Sequence, residues 1–86
     1  MKITNLTSSK GNKIANQFQV VTEKAIYFQS YNSMIAKIEG GQVFLDPIFW
    51  DYSKTTGKYR NIFLGEDKKT TEKKIKNGTY ILTNLN

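Results

Sequence analysis

Histidine and cysteine are both absent from the 86 residues, and proline, tryptophan and arginine occur once each. The first two absences remove whole classes of chemistry. There is no disulfide framework, no Cys/His zinc site, no Ser-His-Asp or Cys-His nucleophile system and no imidazole acid or base. Acidic residues are also scarce, 7 against 13 basic ones, which leaves a net charge of +6. Catalytic carboxylate work would have to use Asp46, Asp51, Glu66, Asp67 or Glu72, and the adjacent Glu66-Asp67 reads as a solvated loop. Paired-carboxylate hydrolases and two-metal nucleases need several acids converging in a cleft. A tyrosine nucleophile would have only Arg60 to assist it. The expectation is a protein that is no enzyme and carries no cofactor and no metal.

Long apolar runs are missing as well. Stretches such as Ile48-Phe49-Trp50 fall far short of the ~20 residues that span a bilayer, and Met1–Ser9 has no apolar run of signal-peptide length. No membrane association and a cytoplasmic location are therefore expected. A typical domain runs to roughly 100–200 residues, so residues 1–86 are read as one small domain. Its apolar content of 38 %, with 11 aromatic residues, suffices for a modest core.

What is present reads as an α+β chain. Ile3–Thr7 is a weak strand candidate, followed by a turn cluster at Ser8–Asn12. Asn16–Thr22 alternates with the period of a half-buried strand, Phe18, Val20 and Thr22 sharing a face. Glu23-Lys24 reverses the chain into Ala25–Ser30, and Tyr31-Asn32-Ser33 into Met34–Glu39, where Met34, Ala36 and Ile38 share a face. Gly40-Gly41 is the clearest hairpin signal, because both central positions of a type I′ turn need positive φ. Gln42–Leu45 returns, and Asp46-Pro47 stops it, since proline offers no N–H to a ladder.

Helical spacing replaces alternation after that. Tyr59, Ile62 and Phe63 fit a helix over Ser53–Leu64, with Ser53 or Thr55 as N-cap and Gly65 at the C-terminus. Gly57 inside it costs roughly 1 kcal/mol relative to alanine. A shorter helix is read over Thr70–Asn77, ending at Gly78, and Tyr80, Ile81, Leu82 and Leu85 as a last strand on the meander. The expected architecture is an antiparallel meander of four to six strands with one longer and one short helix in the C-terminal half. Phe18, Phe28, Phe44, Phe49 and Phe63 are assigned to the core, with Trp50 as an anchor.

Charge is spread unevenly. Residues 54–76 carry eight cations against Glu66, Asp67 and Glu72, a net of +5, whereas residues 1–53 carry five lysines against four acids. A basic helical face beside aromatic rings suits a phosphate backbone, because each neutralised phosphate releases condensed counterions and unpaired bases stack on aromatic rings. The candidate positioning residues are Lys54, Lys58, Arg60, Lys69, Lys73 and Lys76, with Tyr52 and Tyr59 as stacking groups. The plainer reading is a solvated surface, since lysine is both a good helix former and a solubilising residue.

Two segments are denser than the rest. Tyr27-Phe28-Gln29-Ser30-Tyr31-Asn32-Ser33 reads first as a strand with an Asn-centred turn. Trp50-Asp51-Tyr52-Ser53-Lys54-Thr55-Thr56-Gly57-Lys58-Tyr59-Arg60-Asn61 gathers hydroxyls, three cations and three aromatics at a strand-to-helix junction. Its Thr55-Thr56-Gly57-Lys58 is no phosphate loop: the pattern needs glycine where Tyr52 stands and Ser or Thr where Tyr59 stands. A helix N-terminus with hydroxyls and cations remains, and Asp51 is a natural ion-pair partner for Arg60 or Lys54.

These two segments, with Phe63-Leu64 after the second and the ending Lys73-Lys74-Ile75-Lys76-Asn77-Gly78, resemble a family of small uncharacterised proteins of bacteriophages and related mobile elements. The resemblance covers nearly the whole chain and implies a stand-alone accessory protein in the host cytoplasm. It brings no activity and no site residues. Small proteins of that context bind nucleic acid, or bind and block a host enzyme. Three classes therefore stand open: non-catalytic nucleic-acid binding, anti-CRISPR-like inhibition of a host defence or nucleic-acid enzyme, and a structural or homo-oligomeric role. The charge asymmetry favours the first.

Overall fold

Turn chemistry folds the first half of the chain back on itself four times. The computed structural model describes residues 1–86. Strands β1 (Lys2–Thr7), β2 (Lys13–Val21), β3 (Ala25–Ser30), β4 (Ser33–Glu39) and β5 (Gln42–Leu45) pair antiparallel in chain order. Gly40 and Gly41 have φ of 57° and 76°, the positive pair that the tight β4–β5 turn requires. At the β2–β3 turn the Thr22 hydroxyl accepts from the N–H groups of Lys24 and Ala25. The β3–β4 turn is tighter in steric terms, because Tyr31 adopts φ 54° and donates its N–H to the Asn16 carbonyl at 2.7 Å.

Helices α1 (Lys54–Leu64) and α2 (Lys68–Lys76) follow, then β6 (Ile81–Leu82), in the sheet order β1-β2-β3-β4-β5-β6. The fold is α+β, a mostly antiparallel six-stranded sheet with two helices in the C-terminal half. The last strand differs from its expected form. It is two residues long and runs parallel to β5, a pairing that needs a crossover such as the two helices supply rather than a hairpin. Tyr80 sits before it in the core, 7 % exposed.

Beyond β6 the chain is held by Asp46, whose side chain is almost fully buried. Its Oδ1 accepts from the N–H groups of Ile48 and Phe49, and its Oδ2 from the Leu85 N–H and the Asn86 amide, at 2.9–3.0 Å. Burial pushes this carboxyl up, and the donors from Leu85, Asn86, Ile48 and Phe49 outweigh it, so the group lies below the usual aspartate range.

The helices cover one face of the sheet. Phe28, Ile35, Ala36, Leu45 and Tyr80 form the core there, with Phe49, Trp50, Tyr59, Phe63 and Ile75 packed against it. A bulge puts Ile35 in that core: Phe28 lies opposite Ala36 and Gln29 opposite Met34, leaving Ile35 unpaired between them. The bulge also moves Met34 off the face it was expected to share with Ala36. Phe18 and Phe44 depart from expectation in the same way. They lie opposite Gln29 and Lys37, on the side away from Phe28, where they are half-buried beside neighbours such as Tyr27 and the Lys37 stem. With helices on one side only, a period-two strand places aromatics on the uncovered face too.

No helix is long and apolar enough to cross a membrane.

Candidate nucleic-acid interface

Local caps set where the helical cations stand. Ser53 is extended (φ −152°) and its Oγ accepts from the Thr56 N–H at 3.1 Å, which starts α1 at Lys54. Gly65 ends it in the left-handed region at φ 70°, donating its N–H to the Asn61 carbonyl. Asp67 caps α2 through Oδ1 and the Thr70 N–H at 2.8 Å, so this helix begins two residues before the expected Thr70. Those bonds hold the Asp67 carboxyl below its ordinary value. Lys73, Lys74 and Lys76 occupy the last turn of α2, where a positive charge meets the negative end of the helix dipole.

Ion pairing then divides the cations into two groups. Arg60 is 1 % exposed. Its Nη1 donates to the Trp50 carbonyl at 2.6 Å and to Asp51 Oδ1 at 3.1 Å, its Nη2 to Asn61 Oδ1 at 2.9 Å, and its guanidinium lies 5.1 Å from the Trp50 ring centroid. Lys68 holds the other Asp51 oxygen at 2.7 Å. Burial raises the Asp51 carboxyl, and the bonds from Lys68 and Arg60 outweigh that and leave it depressed. The pairing of Asp51 with Arg60, anticipated from the sequence, is present. The guanidinium that was expected to face a phosphate instead clamps the segment before α1 onto the helix.

Glu66 makes the second cluster. Read from the sequence as a solvated loop residue, it has a side chain 8 % exposed, accepting from Lys74 Nζ and Tyr80 Oη at 2.7 Å each and from Thr71 Oγ1 at 2.6 Å. Burial raises its carboxyl, and the bonds from Lys74, Thr71 and Tyr80 bring it below the usual glutamate value. The same contacts raise Lys74, chiefly through the Glu66 bond.

The five other candidate cations stand in the second group. Lys54 and Lys58 are exposed on the first turns of α1, one turn apart. Lys69, Lys73 and Lys76 are exposed on α2 at the i, i+4, i+7 spacing of a single stripe, lining a shallow depression with Asp67, Thr70, Glu72 and Asn77. None of the five is in an ion pair; the pairs on the helices use Arg60, Lys68 and Lys74. A second depression, lined by Lys54, Lys58 and Lys68 among others, lies at the start of α1. Lys58 Nζ is 5.4 Å from the Tyr59 ring centroid. Tyr59 packs partly into the core, whereas Tyr52 is 69 % exposed with its ring 5.4 Å from that of Phe49.

The residues that sequence reasoning missed are the two buried carboxylates, Asp46, which gathers donors from the far end of the chain, and Glu66, which gathers them from α2 and Tyr80. The available signal was slight: an acid just before the single proline, and an acid four residues after Ile62 at a helix end. No group of three or more acidic or metal-ligating side chains is gathered anywhere in the structure.

A family model described as a family of unknown function (DUF8033) matches residues 1–78. No curated protein and no solved structure matches the chain.

Proposed function

The chain belongs to the family of unknown function DUF8033, and we propose that it is a non-catalytic accessory protein that binds nucleic acid through the lysines of its helical layer. The observation that carries this reading is the segregation of the cations. Acids pair with buried Arg60 and with the surface cations Lys68 and Lys74, while Lys54, Lys58, Lys69, Lys73 and Lys76 are exposed and in no ion pair on the same two helices. Cations that stabilise a fold are paired or shielded. A set left uncompensated on one layer produces a positive field that attracts polyanions. Phosphate contacts position a ligand without reading its sequence, so binding is weakly selective among sequences. The resemblance of the two dense segments to phage and mobile-element proteins supports a host-cytoplasmic setting for this activity.

Fluorescence anisotropy with labelled single- and double-stranded DNA and RNA tests the reading at low and moderate salt. Expected is binding at low salt that weakens about a hundred-fold or more between 50 and 200 mM, the loss associated with about five neutralised phosphates. Charge reversal at Lys58 and Lys73 together should abolish it. Arg60 is unsuited to this test, because reversing a buried guanidinium disrupts the fold. No binding at low salt would overturn the reading and favour a protein partner, to be sought by pull-down from host lysate.

A further inference from the structure

The two dense segments of the sequence meet in space. Ser30, Tyr31 and Ser33 from the β3–β4 turn, and Tyr52, Ser53 and Thr56 from the start of α1, line one cavity of about 150 Å³. A hydrogen bond of 3.0 Å between Ser30 Oγ and Thr56 Oγ1 ties the two segments together at its wall. Buried Ile35 and half-buried Phe49 complete the lining. We propose that this cavity receives one unstacked nucleobase of a single-stranded nucleic acid whose backbone lies along Lys54 and Lys58.

Three properties of the cavity support this occupant. First, no charged side chain lines it, so it is poorly suited to a phosphate or a metal ion and suited to a neutral group. Second, its polar lining is four hydroxyls, Ser30, Ser33, Ser53 and Thr56. A hydroxyl donates one hydrogen bond and accepts two, which matches the alternating donors and acceptors on a base edge. Ser53 Oγ and Thr56 Oγ1 lie 3.2 Å apart, so three of the four, Ser30, Thr56 and Ser53, form a connected row. Third, Tyr31 and Tyr52 stand beside it 53 % and 69 % exposed, and Phe49 supports the Tyr52 ring from 5.4 Å. Large aromatic rings in water beside a recess are the arrangement on which a base stacks. Ser53 lines both this cavity and the neighbouring depression that holds Lys54 and Lys58, so a strand with a base in the cavity would pass on to unpaired cations for its adjoining phosphates.

The inference rests on the nucleic-acid reading, and the experiment separates the two. Anisotropy is measured with a labelled single-stranded oligothymidylate, with a same-length backbone lacking its bases, and with a duplex. The proteins are the wild type, Tyr52→Ala, Tyr52→Phe and the double variant Lys54→Glu/Lys58→Glu. Expected for the wild type is tighter binding to the single strand than to the baseless backbone. Tyr52→Ala should weaken single-strand binding about five-fold or more, as loss of one stacked base does, and leave the baseless backbone unaffected. Tyr52→Phe should keep most of the affinity, because the ring is retained. If the lysine variant loses binding but Tyr52→Ala binds the single strand like the wild type, the base site is wrong and the phosphate reading stands. If the wild type binds none of the three ligands, both are wrong.

Discussion

At the scale of the residue, Arg60 and Lys58 show how little a side chain's charge says about its role. They lie two positions apart on α1, yet one is buried against Trp50 and Asp51 and the other is exposed over the Tyr59 ring. Arg60→Ala leaves the Trp50 carbonyl without its donor and Asp51 with only Lys68, at a cost of about 3 kcal/mol. Lys73→Ala should stay within about 0.5 kcal/mol of the wild type, and urea denaturation midpoints compare the two directly. The two buried carboxylates and half-buried Asp51 set the acid limit. Asp46, Asp51 and Glu66 all titrate below their ordinary values of 3.8, 3.8 and 4.5. A depressed carboxyl contributes stability that is complete above its unfolded value and is lost as pH falls through its folded one. Thermal midpoints should therefore be flat down to about pH 5 and fall below about pH 4, and Glu66→Gln should flatten part of that fall. No histidine exists to add a transition between pH 5 and 8. A midpoint that dropped between pH 7 and 6 would contradict this assignment.

At the scale of the element, α1 carries one local conflict. Gly57 lies in its second turn, buried, and a Cβ there would meet Asp51 Oδ1 at 3.5 Å and the Arg60 guanidinium nitrogens at 3.7 Å. Those are ordinary van der Waals distances, so Gly57→Ala fits without displacement and should stabilise the protein by about 0.5–1 kcal/mol through helix propensity. An unchanged or lowered denaturation midpoint would mean that the methyl disturbs the Asp51–Arg60 pair. The elements most legible in the sequence are those with local causes. Gly40-Gly41 needed only positive φ to mark its turn, and Ser53 and Gly65 marked the ends of α1 through their own backbone preferences. The bulge at Ile35, the parallel register of β6 and the placement of Phe18 and Phe44 depend on which strand lies alongside and which face is covered. No short window of sequence contains that information. The candidate site divides the same way: five exposed lysines could be read from spacing, but the burial of Arg60 required Trp50 and Asp51 to be in place.

At the scale of the molecule, the sheet and the helices have separate electrostatic roles. Residues 1–53 are nearly neutral, and the helical segment carries almost all of the excess positive charge. Pairing with Asp51 and Glu66 offsets Arg60, Lys68 and Lys74, so the uncompensated cations of that segment are a lysine stripe on α2 and a lysine pair on α1. A field of that kind speeds encounter with polyanions and fades as salt shortens its range to about 8 Å at physiological ionic strength. The most direct test is the slope of log binding constant against log salt for a single-stranded oligonucleotide, in the wild type and in a variant with Lys54, Lys58, Lys69, Lys73 and Lys76 all changed to alanine. Each phosphate contact contributes about −0.7 to a single-strand slope, so the wild type should show about −3.5 and the variant a slope near zero with little residual affinity. A variant that stays folded and binds with the wild-type affinity and slope would contradict the central claim.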